Sequence, residues 1–116
     1  MTILKQLIII SFFVLGLFTI VPQNSQAWEG VFTGKIGRID VTEKSNFGFR
    51  VFPVGAGPLC GTGTENWGYV HQDLVNYNIM VSTLQLAFVA QKEVGFHFTR
   101  LSGTPYCSIG YISVGR

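Results

Sequence analysis

Val31-Phe32-Thr33-Gly34-Lys35-Ile36-Gly37-Arg38-Ile39-Asp40-Val41-Thr42 is rich in β-branched residues, yet its apolar positions do not hold one phase. Ile36 and Ile39 stand three apart, where strict strand alternation requires two or four. A β-bulge at Gly37 reconciles them, and a bulge bends a strand sharply enough to curl a small sheet into a barrel. Outward from this segment, Glu43-Lys44-Ser45-Asn46 turns the chain into a second strand predicted over residues 46–54, a hairpin with a loop slightly longer than the minimum. Pro53 and Gly55-Ala56-Gly57-Pro58 end that strand, and Gly61-Thr62-Gly63-Thr64 prolong the loop around Cys60. Residues 67–71 make a short third strand.

From Asp73 to Glu93 the period changes. Tyr77, Met80, Val81, Leu84, Ala87 and Phe88 recur at three- and four-residue spacing, which predicts a helix with one buried stripe. Asp73, Asn76 and Asn78 are each competent N-caps. Ile79, Leu86 and Val89 fall off the stripe and are expected to meet a second surface, such as another copy of the chain. Residues 94–100 then alternate, with Val94, Phe96 and Phe98 on one face and His97 and Thr99 on the other. After Ser102-Gly103-Thr104-Pro105, residues 106–114 form the last strand, with Ile109 and Tyr111 expected on one face and Ile112 and Val114 on the other. Ile112 joins the expected oligomer interface. The fold class is therefore mainly β with one helix, in the order β-β-β-α-β-β. A bulged first strand and a helix between strands three and four are the pattern of the OB-fold, a five-stranded barrel.

Residues 1–27 read as a signal peptide: Lys5, an apolar stretch from Leu7 to Val21, then Ser25-Gln26-Ala27. The competing reading is an uncleaved anchor, but Leu7 to Val21 falls short of the roughly 20 residues needed to span a bilayer. Residues 28–116 are then a single OB-fold domain in a secreted or periplasmic protein without stable membrane insertion after cleavage. Two cysteines in an oxidising compartment predict a Cys60–Cys107 disulfide.

Eight Lys and Arg against six Asp and Glu, with no basic stripe, disfavour a nucleic-acid partner. The glycine-rich loop lacks the Gly-Lys-Ser/Thr ending of a phosphate cradle. His71 near Asp73 is the only acid-base pairing, and it reads as a capping Asp beside a surface His. Ser82, Ser102, Ser108 and Ser113 show no nucleophile-elbow spacing, so no catalytic residue, metal ligand or cofactor is expected. Aromatic residues are plentiful, with ten Phe, four Tyr and two Trp. Trp28 and Trp67 are candidate sugar-stacking platforms, or else edges of a small core. Arg38, Asp40 and Arg50 are candidate polar contacts on the first hairpin, or else solvated strand charges.

Several segments in this order resemble small exported bacterial proteins related to the B subunits of pentameric toxins of the subtilase and typhoid type. They are Gly34-Lys35-Ile36 with Gly37-Arg38-Ile39-Asp40; Asn76-Tyr77-Asn78 with Met80, Ser82, Leu84 and Ala87; Lys92 with Val94; and Cys107-Ser108-Ile109-Gly110-Tyr111-Ile112. The resemblance implies an OB-fold, assembly into rings with the helix toward the centre, and binding of cell-surface sugars. The expected function is a non-catalytic binding module for a glycan, with a structural or interaction protein that binds another envelope or secreted protein as the alternative.

Overall fold

The structure, a computed structural model, describes residues 28–60, 65–101 and 104–115. The predicted leader (1–27), the tract 61–64 and the pair 102–103 lie outside the described residues. Among the described residues there are six strands, β1 (Gly30–Gly34), β2 (Ile36–Val41), β3 (Phe49–Pro53), β4 (Gly68–Val70), β5 (Val94–Arg100) and β6 (Cys107–Val114), and one α-helix, α1 (Tyr77–Ala90). They form one sheet in the order β1-β5-β6-β4-β3-β2, antiparallel throughout except for the β4–β6 pair. The two outermost strands are consecutive in the chain and separated only by Lys35, so one bent segment supplies both edges of a barrel-like sheet.

The first predicted strand is thus two. The bulge expected at Gly37 is present as a register shift between Ile36 and Arg38 against β3. The larger change of direction comes at Lys35, where the chain leaves β5 for β3 and the Lys35 carbonyl accepts the Val54 N–H at 2.8 Å. The second strand begins later than expected. Lys44–Asn46 is a turn of 3-10 helix and Phe47 adopts a left-handed conformation (φ 59°), so pairing starts only at Phe49.

Alternation in β5 follows the sequence pattern: Val94, Phe96 and Phe98 are fully buried. In β6 the pattern departs from it. His97 pairs with Tyr111 and Phe98 with Ile109, leaving Gly110 as an extra residue, and the inward phase switches there. Ile109 is buried and Tyr111 is exposed, while Ile112 opposite Phe96 packs partly on the core. The helix is shorter than the predicted 73–93. Asn76 precedes its first turn without a side-chain cap, and neither Asp73 nor Asn78 caps it. Its stripe is as expected: Met80, Leu84 and Ala87 are buried, and Tyr77, Val81 and Phe88 flank them. Cys60 and Cys107 form the disulfide, Cα atoms 5.9 Å apart, which ties the loop after β3 to the first residue of β6. Among the described residues, no helix is long and apolar enough to cross a membrane.

Candidate functional site

Two outer walls of the sheet carry the residues nominated from sequence. On the β2–β3–β4 wall, Arg38 lies opposite Phe52, Asp40 opposite Arg50, and Arg50 opposite Tyr69. The alternation that buries Phe49 and Val51 turns Arg50 and Phe52 outward. The Arg38 guanidinium sits 3.8 Å from the Phe52 ring centroid and its Nε is 3.0 Å from Asp40 Oδ1. Arg50 covers Trp67 at 5.0 Å while its Nε donates to the Asn46 carbonyl at 3.2 Å. Trp67 is stacked on Tyr106 at 5.1 Å, and the Phe47 ring touches Trp67, Tyr69 and Tyr106. Burial pushes the Tyr69 hydroxyl above its usual range. Arg38, Asp40, Arg50 and Trp67 therefore meet on one wall, but their cationic and aromatic faces are already spent on one another.

Trp28 stands apart, on the β1–β5–β6 wall. Its ring packs against His97 at 5.4 Å and Tyr111 at 6.5 Å, and it lies over Gly110, where a Cβ would come within 2.5 Å of the indole. The segment is anchored by its neighbour: the Glu29 N–H donates to the Phe98 carbonyl at 2.9 Å, and Glu29 Oε2 accepts from Arg100 N at 2.9 Å and from its Nε at 3.2 Å. Val31, His97 and Tyr111 form one row across the three strands, and Thr33, Gly95 and Ser113 form the next, about 7 Å along. Gly95 floors a trough: a Cβ there would stand 2.6 Å from Ser113 Oγ and 3.9 Å from Thr33 Oγ1. The trough opens into a hollow of about 460 Å³ bordered by Lys35, Lys92 and Glu93. His97 Nδ1, beneath the aromatic row, is buried without a hydrogen-bond partner among the described residues. Sequence patterning nominated Trp28 alone here. A glycine flanked by outward hydroxyls on both neighbouring strands becomes visible only once register is known.

A third region lies where three connections meet. Lys44, Phe47, Tyr69, His71, Asp73 and Thr104 help line a hollow of about 240 Å³. The Asp73 N–H donates to His71 Nδ1 at 3.1 Å, so this pair folds back on itself and does not cap the helix. Among the described residues, no group of three or more His, Cys, Asp or Glu is arranged to hold a metal ion.

Of the residues nominated for an interface, Ile79, Leu86 and Val89 are 67%, 72% and 81% exposed on the outer side of α1. Ile112 shares with Ile79 a hollow of about 320 Å³ between the helix and β6. Comparison of the chain with protein families, with curated proteins and with solved structures returned no match.

Proposed function

We propose that the chain is an exported, non-catalytic binding module that takes a glycan on its β1–β5–β6 wall. The observation that carries this reading is the aromatic row Trp28–His97–Tyr111 beside the open Thr33–Gly95–Ser113 trough. A pyranose has an apolar face and a rim of hydroxyls, so it needs an aromatic platform and unengaged hydrogen-bonding groups about one ring apart. The β2–β3–β4 wall has the rings, but its guanidiniums already cover them. The disulfide and the apolar leader support export. Counting β1 and β2 as one bulged strand gives five strands with the helix between the third and fourth, which supports an OB-fold. Near-neutral charge speaks against a nucleic-acid partner, and the reading requires no cofactor.

A glycan array of neutral and acidic sugars on the disulfide-intact protein, followed by titration calorimetry, tests the proposal. Tyr111→Ala should weaken the best ligand about tenfold, the equivalent of about 1.4 kcal/mol, and Gly95→Val should fill the trough and abolish binding. Silence across the array would overturn the glycan reading. Loss of binding in Trp67→Ala but not in Tyr111→Ala would move the site to the other wall.

A second reading rests on the helix, which carries no charged residue and is apolar on both sides. Such a helix suits contact with a second copy or with another envelope protein. Light scattering at high concentration should then show assembly that Leu86→Lys abolishes at unchanged thermal midpoint. A strict monomer would exclude self-assembly, and a single partner recovered by pull-down would favour the heterotypic case.

A further inference from the structure

We infer that the hollow where the three connections meet is a binding site for a small zwitterion with an apolar side chain, the chemistry of a free aliphatic or aromatic α-amino acid. Its volume of about 240 Å³ lies below the roughly 300–1,000 Å³ of sites for drug-sized ligands, so it suits a fragment-sized molecule. It shares no lining residue with the trough of the β1–β5–β6 wall, so the inference stands apart from the glycan reading.

The hollow combines an apolar lining with donors that have nothing to bind. Phe47, its ring 4.8 Å from that of Tyr69, lines it together with Val70 and Leu101. Tyr69 is only 3% exposed, yet its hydroxyl has no hydrogen-bond partner among the described residues. A phenol buried to this extent ordinarily finds one. Burial also holds the proton on the hydroxyl, which makes it a donor. Thr104 Oγ1 accepts the Tyr106 N–H at 3.1 Å and keeps its own O–H to give. Lys44, on the exposed 3-10 turn, enters no ion pair among the described residues. Two hydroxyl donors and an ammonium suit a carboxylate.

Asp73 supplies the opposite sign. Its Oδ2 stands 3.8 Å from His71 Nδ1, outside hydrogen-bond distance, and that nitrogen already accepts the Asp73 N–H at 3.1 Å, so it offers the carboxylate no donor. Lys44 and Asp73 therefore line one hollow without pairing with each other. A ligand that carries both charges answers both residues. A simple carboxylate or a simple amine would leave one of them unanswered, and the apolar lining selects for a side chain between them.

Titration of the nitrogen-15-labelled, disulfide-intact protein with L-leucine tests the site. The amides of Gly48, Tyr69, His71 and Thr104 should shift saturably, with half-saturation at about 1 mM or below. N-acetyl-leucine lacks the ammonium, leucinamide lacks the carboxylate and glycine lacks the side chain, and each should bind about tenfold more weakly or worse. Tyr69→Phe keeps the ring and drops the hydroxyl, while Lys44→Gln and Asp73→Asn change only exposed side chains. Each should weaken L-leucine about tenfold at an unchanged thermal midpoint. In Asp73→Asn, L-leucine and N-acetyl-leucine should bind alike, because the group that tells them apart is gone. N-acetyl-leucine binding the wild type as tightly as L-leucine would overturn the zwitterion. Amides of the hollow that stay unmoved at about 10 mM L-leucine, or shifts confined to the trough on the other wall, would overturn the site.

Discussion

Replacing Cys60 and Cys107 together by alanine is expected to lower the stability of the domain by about 4 kcal/mol, the chain-entropy value for cross-linking residues 47 apart in sequence. The effect is large because the disulfide gathers segments that the sheet holds only at its rim. Cys60 belongs to the loop after β3 and Cys107 begins β6, next to the short parallel β4–β6 pairing that involves only Gly68 and Tyr69 on one side. The Cys60 carbonyl also accepts from Arg100 Nη2 at 3.4 Å, and Arg100 holds Glu29. The backbone of Gly30, in β1, presses on the Leu59 carbonyl so closely that no side chain fits there. The end of β5, the start of β1 and the start of β6 thus share one covalent anchor. Domains of this size have a total stability of only about 5–15 kcal/mol, so the thermal midpoint should fall by roughly 20 °C. Melting the wild type under reductant should reproduce the double variant. A loss below about 1 kcal/mol in both would mean that hydrogen bonding alone holds the rim.

The strands were legible from sequence where alternation is uninterrupted and obscured where one residue breaks it. Val94, Phe96 and Phe98 announce β5 because every second position is apolar and all three are buried. Ile36 and Ile39 announced the Gly37 bulge, since a three-residue spacing has no other strand solution. The bulge at Gly110 carried no such signal. Ile109, Tyr111 and Ile112 are all acceptable on either face, and only pairing with β5 shows that the inward phase changes between Ile109 and Ile112. The mixed apolar character of β6 is thus partly a phase change, and Ile112 faces a hollow beside the core. Phe47 escaped for a different reason. Nothing in the chemistry of phenylalanine favours φ 59°, and the conformation persists because its ring packs against Trp67, Tyr69 and Tyr106. The same limit applies to the candidate site. Arg38, Asp40, Arg50 and Trp67 were found as residue types, but whether their charges are free or stacked is decided by cross-strand register.

The other large effect concerns Phe98, and it predicts a coupling as well as a loss. Phe98 is fully buried, stacked on Phe96 at 5.6 Å, and its ring lies over Gly68 of β4. A Cβ at Gly68 would be 2.7 Å from Phe98 Cε1 and 3.0 Å from Ile109 Cγ1, so the missing side chain of one residue is the space occupied by the other. Phe98→Ala should cost about 3–5 kcal/mol, from lost burial and from a cavity that rigid neighbours cannot close. Gly68→Ala should also destabilise, because Phe98 is held by Phe96 and Ile109 and cannot retreat without disturbing the stack. The double variant should lose less than the two singles combined, by about 1 kcal/mol or more, since truncating Phe98 removes the main obstacle to the new methyl group and the methyl refills part of the cavity. Urea unfolding of the four proteins closes the cycle, with equal slopes required for the comparison. Simple additivity would mean that Gly68 is needed for its backbone rather than for the space above it, and that β4 meets β6 independently of the aromatic stack.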